Sequence, residues 1–396
     1  MKKSLLSLVA IAALSTSAFA AGMDDIRISG FVNVVAGMND VNDGEYQVGV
    51  NANKQSNSYR GYNDTYDFQN ESLAAIQISS SITESMGATI QLIAQKDDAG
   101  DDIRMEWGYV YFDATDELRI LAGRIRPSLF LYSDYLDVGY AYNWVTPPSE
   151  VYDQVNISNL DGVSAAYNLE LGDNVLTTTV FGGNSSDKKV NPMYERKMTT
   201  NDSLLDLEFD NIIGGELSIS NDYGKLRAGY IQAKATENTY KNALPEELKQ
   251  DKSGAQFYGV GINVDYEDIL FAAEYIVRDM DETGAPDINA YYAMLGYRIG
   301  DFTPSYTYAV ADSTMEFSTS TAPLVEGQVN KMRALSLDDR NSHTLGIRYD
   351  VNAMAAVTLE YNRADVTHST YVAPTKSISE EDETINTYRV ALNVVF

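Results

Sequence analysis

The stretch Thr387-Tyr388-Arg389-Val390-Ala391-Leu392-Asn393-Val394-Val395-Phe396 decides the fold. Tyr388, Val390, Leu392, Val394 and Phe396 alternate with Thr387, Arg389, Ala391, Asn393 and Val395. Successive strand side chains point to opposite faces, so this period of two marks a strand with one apolar face and one mainly polar face. Working outward, Tyr258, Val260, Ile262, Val264 and Tyr266 alternate with Phe257, Gly259, Gly261, Asn263 and Asp265. The pattern recurs in Leu345, Ile347, Tyr349 and Val351, and in Met105, Trp107, Tyr109 and Tyr111. Only the charged patch Leu244 to Asp251, inside a loop, has helical character.

About sixteen strands follow from this reading. They lie near residues 26–37, 72–82, 87–95, 103–113, 118–126, 161–170, 175–183, 212–220, 225–235, 255–266, 269–278, 288–299, 302–311, 341–351, 355–364 and 384–396. The run Leu204 to Phe209 also alternates and offers an earlier start for the eighth strand. Short turns such as Leu171-Gly172-Asp173-Asn174, Glu267-Asp268 and Gly300-Asp301 alternate with long polar segments. The long segments are 38–71, 127–160, 184–211, 236–254, 312–340 and 365–383. Short connections at one end and long ones at the other describe an up-and-down meander whose two rims face different surroundings.

Composition points elsewhere at first. The 396 residues carry 57 acids against 29 bases, a net charge of −28 and no cysteine. Mean hydropathy is −0.26, as in an acidic soluble protein. The acidity argues against a nucleic-acid partner, and the missing cysteines exclude thiolate catalysis, disulfides and cysteine-ligated metals. The misfit is the aromatic set: 28 tyrosines against 12 phenylalanines and two tryptophans.

At the other end, Lys2 and Lys3, the apolar run Leu5 to Leu14 and the small-residue site Ala18-Phe19-Ala20 have the layout of a cleaved secretory signal. Residues 1–20 are expected to be removed, which leaves a single domain, 21–396, with a net charge of −30. Export and period-two alternation leave two architectures, a β-sandwich and a membrane barrel. A sandwich buries its apolar faces, whereas a membrane barrel turns them to lipid and lines its lumen with polar groups. Nearly every charge inside a strand falls on one face, together with Gly108, Gly229, Gly259, Gly261, Gly296 and Gly346. On the opposite face aromatics recur at strand ends: Tyr258 with Tyr266, Tyr291 with Tyr297, and Tyr388 with Phe396. Eight residues of tilted strand rise about 20 Å, the separation that two interfacial girdles need. The barrel is the better reading.

Leu345-Gly346-Ile347-Arg348-Tyr349-Asp350-Val351, followed by Val357-Thr358-Leu359-Glu360-Tyr361, resembles the penultimate strand pair of the Gram-negative general porins, sixteen-stranded outer-membrane barrels. The terminal strand ending on Phe396 is similar to that family's assembly signal, and Leu121-Ala122-Gly123-Arg124 resembles the approach to its third loop. The resemblance implies an all-β transmembrane barrel in the outer membrane, with short periplasmic turns and long extracellular loops. It also implies a third loop folded into the pore, a homotrimer, recognition by the barrel-assembly machinery, and contact with lipids and lipopolysaccharide. One departure is the second loop, Lys96 to Asp102, which is short where the family's loop latches onto a neighbouring subunit.

Under this resemblance residues 127–160 form the constriction loop. The segment holds Asp134, Asp137, Glu150 and Asp153 and no basic residue, and it is too apolar to be left in water. The expected pore-lining wall comprises Arg27, Arg104, Glu106, Arg119, Arg124, Arg227, Arg278, Arg298, Arg348 and Arg389. Parity places Arg124 and Arg126 with the apolar residues of their strand, so Arg124 faces inward only if a bulge turns it, and the same holds for Arg126. Loop acids opposite wall arginines would set a transverse field, giving a weakly cation-preferring channel for passive diffusion of ions and small hydrophilic solutes.

Other classes remain as alternatives: a substrate-selective, structural or adhesive barrel, or a barrel hydrolase. The only histidines, His343 and His368, lie outside any catalytic motif, so no enzyme is expected. Gly259-Val260-Gly261 sits within a strand, which excludes a dinucleotide site. Asp97-Asp98 with Asp101-Asp102, and Glu380-Glu381-Asp382-Glu383, lack calcium-loop spacing, although calcium bridging to anionic lipopolysaccharide stays open. No cofactor or metal is expected.

Overall fold

In the computed structural model the alternation becomes sixteen antiparallel strands closed into one barrel. The structure describes residues 26–41, 62–97, 100–155, 157–185, 207–237, 253–281, 286–316, 330, 334, 337, 339–372 and 375–396. The expected signal segment and the helical patch at 244–251 lie outside the described residues.

The strands are β1 (Ile26–Asn39), β2 (Leu73–Thr83), β3 (Met86–Asp97), β4 (Gly100–Asp113), β5 (Leu118–Ile125), β6 (Leu160–Leu171), β7 (Asn174–Asn184) and β8 (Leu207–Asn221). The second half comprises β9 (Gly224–Glu237), β10 (Ser253–Tyr266), β11 (Ile269–Met280), β12 (Asp287–Tyr297), β13 (Phe302–Thr314), β14 (Asp339–Asn352), β15 (Ala355–Val372) and β16 (Ser377–Val395). Each strand pairs with its neighbours in sequence, and β1 closes the ring on β16 with Val34 opposite Leu392. Closure leaves no sheet edge, which a lipid environment demands because nothing there can satisfy a free backbone group.

The period of two sorts the side chains onto two surfaces. On β12, Asn289, Tyr291, Ala293, Leu295 and Tyr297 are exposed, while Ile288, Ala290, Tyr292, Met294 and Gly296 are turned inward. The outward aromatics fall into two belts. Tyr223, Tyr266, Tyr297, Phe302, Tyr349 and Phe396 sit near the short turns. Tyr230, Tyr258, Tyr275, Tyr291, Tyr306 and Tyr388 sit towards the loops. Neighbouring strands stack their rings, with centroids 5.4 Å apart for Tyr223–Tyr266 and 5.1 Å for Tyr230–Tyr258. Tyrosine suits this position because its ring is apolar and its hydroxyl reaches water. The belts are interrupted: the outward residues of β1 to β3 are aliphatic or small, and none is aromatic.

Three details depart from the sequence reading. The alternation of Met105, Trp107, Tyr109 and Tyr111 is broken by a bulge, because Gln91 pairs with Trp107 and Leu92 with Met105. Glu106 is the extra residue; beyond it Trp107, Tyr109 and Tyr111 turn inward and Gly108 turns outward, against expectation. The segment 365–383 is mostly a ribbon, since β15 and β16 continue to Val372 and from Ser377. Hydroxyl–carboxylate bonds hold the ribbon, Thr367 to Asp382 at 2.8 Å and Thr384 to Asp365 at 2.6 Å, so it carries no apolar alternation to read. Finally, β8 starts at Leu207 and is bulged between Asp210 and Ile213, which joins part of the earlier alternating run to it.

Candidate functional site

Residues 126–155 and 157–159, between β5 and β6, fold into the barrel. Turns of 3-10 helix form at Ser133–Tyr135 and Gly139–Ala141, and Pro148 precedes a one-turn helix α1 (Ser149–Tyr152). The apolar residues that make this segment unfit for water are its anchor. Leu129, Phe130, Leu131, Trp144, Val151 and Tyr152 are buried against the inward Phe257, Ile276, Ile288 and Tyr292. Phe130 meets Phe257 edge-on at 5.5 Å, and Trp144 meets Tyr292 at 5.6 Å. Each such side chain contributes about 1.5–3 kcal/mol by leaving water. Burial also raises the Tyr132, Tyr142 and Tyr152 hydroxyls well above their usual range, so they remain neutral donors. Tyr142 donates to the Leu136 carbonyl at 2.6 Å and Tyr152 to Glu274 at 2.8 Å.

Wall arginines hold the loop backbone. Arg227 donates to the carbonyls of Leu129 at 2.8 Å and Ser128 at 3.0 Å, and is balanced by Glu216 at 3.2 Å and Glu274 at 3.3 Å. Glu274 also accepts from the Leu131 amide at 2.7 Å. Arg348 donates to the carbonyls of Tyr140 at 2.6 Å and Tyr142 at 2.8 Å, and pairs with Asp350 at 2.8 Å. Arg278 donates to the carbonyls of Gln154 and Pro286. Arg389 bonds Glu360, Glu71 at 2.7 Å and the Thr146 hydroxyl at 2.8 Å. An arginine fork can serve a carboxylate and a loop carbonyl at once, which suits it to this double role.

The loop acids meet different fates. Asp137 pairs with Arg126 at 2.6 Å, and Arg126 also bonds Glu106. Burial opposes the charge on Arg126, but Asp137 and Glu106 together outweigh it and raise its pKa. Glu150 and Asp153 each lie 4.0 Å from Arg340. Asp134 is exposed and has no ion pair among the described residues.

The other expected wall residues divide by height and face. Arg119 forks onto Asp113 at 2.6 and 2.8 Å near the turn-side mouth, and Arg298 reaches Asp265 at 2.6 Å at the same end. Arg27, also at that end, is exposed on the inward parity of β1. Arg104 pairs with Glu106 at 3.0 Å. Arg124 faces outward, where it forks onto Asp161 at 2.8 and 3.0 Å, so it does not line the lumen. The inward member of that pair of arginines is Arg126, freed from strand parity because β5 ends at Ile125. Phe396 lies outside, its ring over Gly30, where any Cβ would come within 2.5 Å of the ring.

Sequence reasoning missed three participants. Tyr62 is almost fully buried against Gly37 and donates to Glu71 at 2.6 Å, so the end of the first loop also enters the barrel. Glu71 accepts from Thr146 at 3.0 Å and so joins the first loop to the inserted one. Arg340 donates to the Ser149 carbonyl at 2.8 Å. Glu71 and Arg340 each stand one residue before an expected strand, where period two already sets their side; that was the available signal.

Between the inserted loop and β3–β4 lies a cavity of about 250 Å³. Its lining is part charged, with Arg104, Glu106, Arg126 and Asp137, and part apolar, with Leu129, Phe130, Leu136, Val155 and Ile157. No group of residues among those described could hold a metal ion, and no described helix is long and apolar enough to cross a membrane. His343 lies outside the barrel wall, 2.7 Å from the Tyr306 hydroxyl, and His368 lies on the ribbon, 3.2 Å from Glu383.

A closed sixteen-stranded antiparallel barrel with apolar outer belts and a loop folded inside is the fold of the outer-membrane porins. Solved structures of that fold align over nearly the whole chain. The outer-membrane channel DcaP of Acinetobacter baumannii is 11% identical, with a TM-score of 0.57 over 97% of this chain and 100% of that one. OmpF of Salmonella typhi, solved with daunomycin, is 12% identical, with a TM-score of 0.57 over 94% and 97%. The trimer form of OmpT, an outer membrane protein of Vibrio cholerae, is 11% identical, with a TM-score of 0.51 over 94% and 99%. No protein-family model matches the sequence, and no curated protein does.

Proposed function

We propose that the protein is exported behind residues 1–20 and forms a water-filled outer-membrane channel for passive diffusion of ions and small hydrophilic solutes. The observation that carries this reading is the inserted loop. A purely structural barrel gains nothing from a long segment held in its lumen by Arg227, Arg278, Arg348 and Arg389, whereas a channel needs such a segment to narrow its bore. The outer aromatic belts support placement in a membrane, among lipids and lipopolysaccharide, with Phe396 read by the assembly machinery.

Selectivity is weak in this reading because most lumenal charges are paired. Glu106, Asp137, Glu150 and Asp153 each face an arginine, while Asp134 stands alone among the loop acids and gives a mild preference for cations. The aliphatic outward faces of β1 to β3, where the belts are interrupted, support burial against further copies in a homotrimer. No catalytic step is assigned: His343 points away from the lumen, and His368 is bonded to Glu383 on the β15–β16 ribbon.

The test is reconstitution of the full-length protein into planar bilayers. Stepwise conductance with a small cation-directed reversal potential in a salt gradient is expected. An absence of conductance would favour the structural or adhesive alternative, and an anion-directed potential would remove the role given to Asp134. Lipid or peptide hydrolysis lost in His343→Ala would restore the enzyme reading.

A further inference from the structure

The cavity between the inserted loop and β3–β4 has a charge arrangement that bulk diffusion does not require. Arg104, Glu106, Arg126 and Asp137 form one alternating chain: Arg104 meets Glu106 at 3.0 Å, Glu106 meets Arg126, and Arg126 meets Asp137 at 2.6 Å. The inner members are buried, with 1% of the Glu106 side chain and 9% of Arg126 exposed. The two ends keep contact with solvent, 24% of Arg104 and 18% of Asp137. The chain is therefore neutral overall but presents a cation at one end and an anion at the other. The same cavity is also lined by Leu129, Phe130, Leu136, Val155 and Ile157.

We infer that this cavity binds apolar zwitterions, amino acids or dipeptides whose side chains are branched hydrocarbons. The inference rests on the channel reading and names the solute class that such a channel would retard and select. A simple cation meets one attractive end and one repulsive end of the chain, as does a simple anion, so neither gains from the pair. A zwitterion lays its carboxylate on Arg104 and its ammonium on Asp137 and gains from both, while its side chain covers hydrocarbon that water wets poorly. At about 250 Å³ the space falls just below the usual range for drug-sized ligands, which suits solutes of this scale. Arg126 Nε in this lining and Trp107 Nε1 beside it are buried donors without partners among the described residues, and the Arg126 guanidinium lies 5.1 Å from the Trp107 ring centre. Polar capacity therefore remains after every intramolecular bond is made.

The test uses the folded full-length protein with leucine, leucylleucine, N-acetyl-leucylleucine and leucylleucine amide in about 0.1 M KCl, where screening leaves contact pairs intact. Trp107 reports occupancy by fluorescence, with Trp107→Phe identifying its share against Trp144. Leucylleucine should bind about tenfold more tightly than either singly charged derivative and cause brief current interruptions that they do not. Asp137→Asn leaves the cavity with one excess positive charge and should move the preference to the acetylated anion. Arg104→Gln should move it to the amide and serves as the mirror variant if the Asp137 change unsettles the loop. Equal affinity for all three dipeptides, or variants that leave the ranking unchanged, would overturn the inference. Binding without conductance would remove the channel reading and leave the site, whereas conductance without charge discrimination would do the reverse.

Discussion

Two stretches of the inserted loop, Leu129–Tyr132 and Asp137–Asn143, are held inside the same barrel by different balances of hydrocarbon contact and charged clamp. The first is a run of buried side chains lodged among Phe257, Ile276 and Tyr292. The second packs Val138 on the wall cluster around Phe31 and turns Tyr142 onto the loop's own Tyr132 and Trp144, and its carbonyls are held by polar wall residues. Asn33 donates to Asp137 at 2.7 Å, and Arg348 donates to Tyr140 and Tyr142. The wall beneath it is polar, and buried atoms of Asn33, Thr358, Thr387 and Asn393 have no partners there among the described protein groups. Hydrocarbon contact is indifferent to salt and to exact position, whereas charged clamps compete with lumenal water and ions. One end of the loop is wedged and the other is tethered.

The largest effect should come from the buried arginine behind the wedge. Arg227→Ala leaves Glu274 buried without its cation, leaves Glu216 with Lys225 alone at 3.0 Å, and frees two carbonyls, a loss of about 3–5 kcal/mol. Urea unfolding in lipid should register it, and a loss below 1 kcal/mol would mean that the wedge does not depend on this cluster. Phe130→Ala removes the ring between Phe257 and Tyr152 and should cost about 3 kcal/mol in the same assay. Neither variant should gain or lose stability with added salt beyond the parent protein.

The tether should behave differently. Arg348→Gln weakens the hold on Tyr140 and Tyr142 and should cost only about 1–2 kcal/mol. Its current noise should rise, and rise further in high salt. If noise stays at the parent level, the tether is as rigid as the wedge and the contrast fails. The smallest change is Asp134→Asn, which should leave stability unaltered and shift the reversal potential towards anions by a few millivolts. A shift in the cation direction would mean that another acid governs the bore.

Much of the fold was legible in the sequence because barrel strands obey a single rule. Tyr258 to Tyr266 or Tyr388 to Phe396 need only a period of two and a turn to be placed, and β10, β11 and β14 follow closely. A bulge has no such mark. Nothing in Arg104-Met105-Glu106-Trp107 announces that Glu106 is surplus, because the misfit lies with the partner strand and its Gln91. The inserted loop betrayed itself through Leu129, Phe130 and Trp144, which water would not tolerate. The clamps did not, since parity tells which way Arg348 or Arg389 points but not that it reaches a loop carbonyl or Glu71. Partners distant in sequence are set by the closed shape of the barrel, and that shape is a property of all the strands together.

The extra residue in β4 has a meaning for how such a protein can change. Removing one codon at Glu106 would restore strict alternation and leave both halves of the strand facing as they do now, because Met105 would still oppose Leu92 and Trp107 would still oppose Gln91. Trp107, Tyr109 and Tyr111 would stay on the channel side, and Val110 and Phe112 on the outer side. A lineage could thus add or drop the carboxylate that bonds Arg104 and Arg126 in one inherited step, without turning over any other residue of the strand.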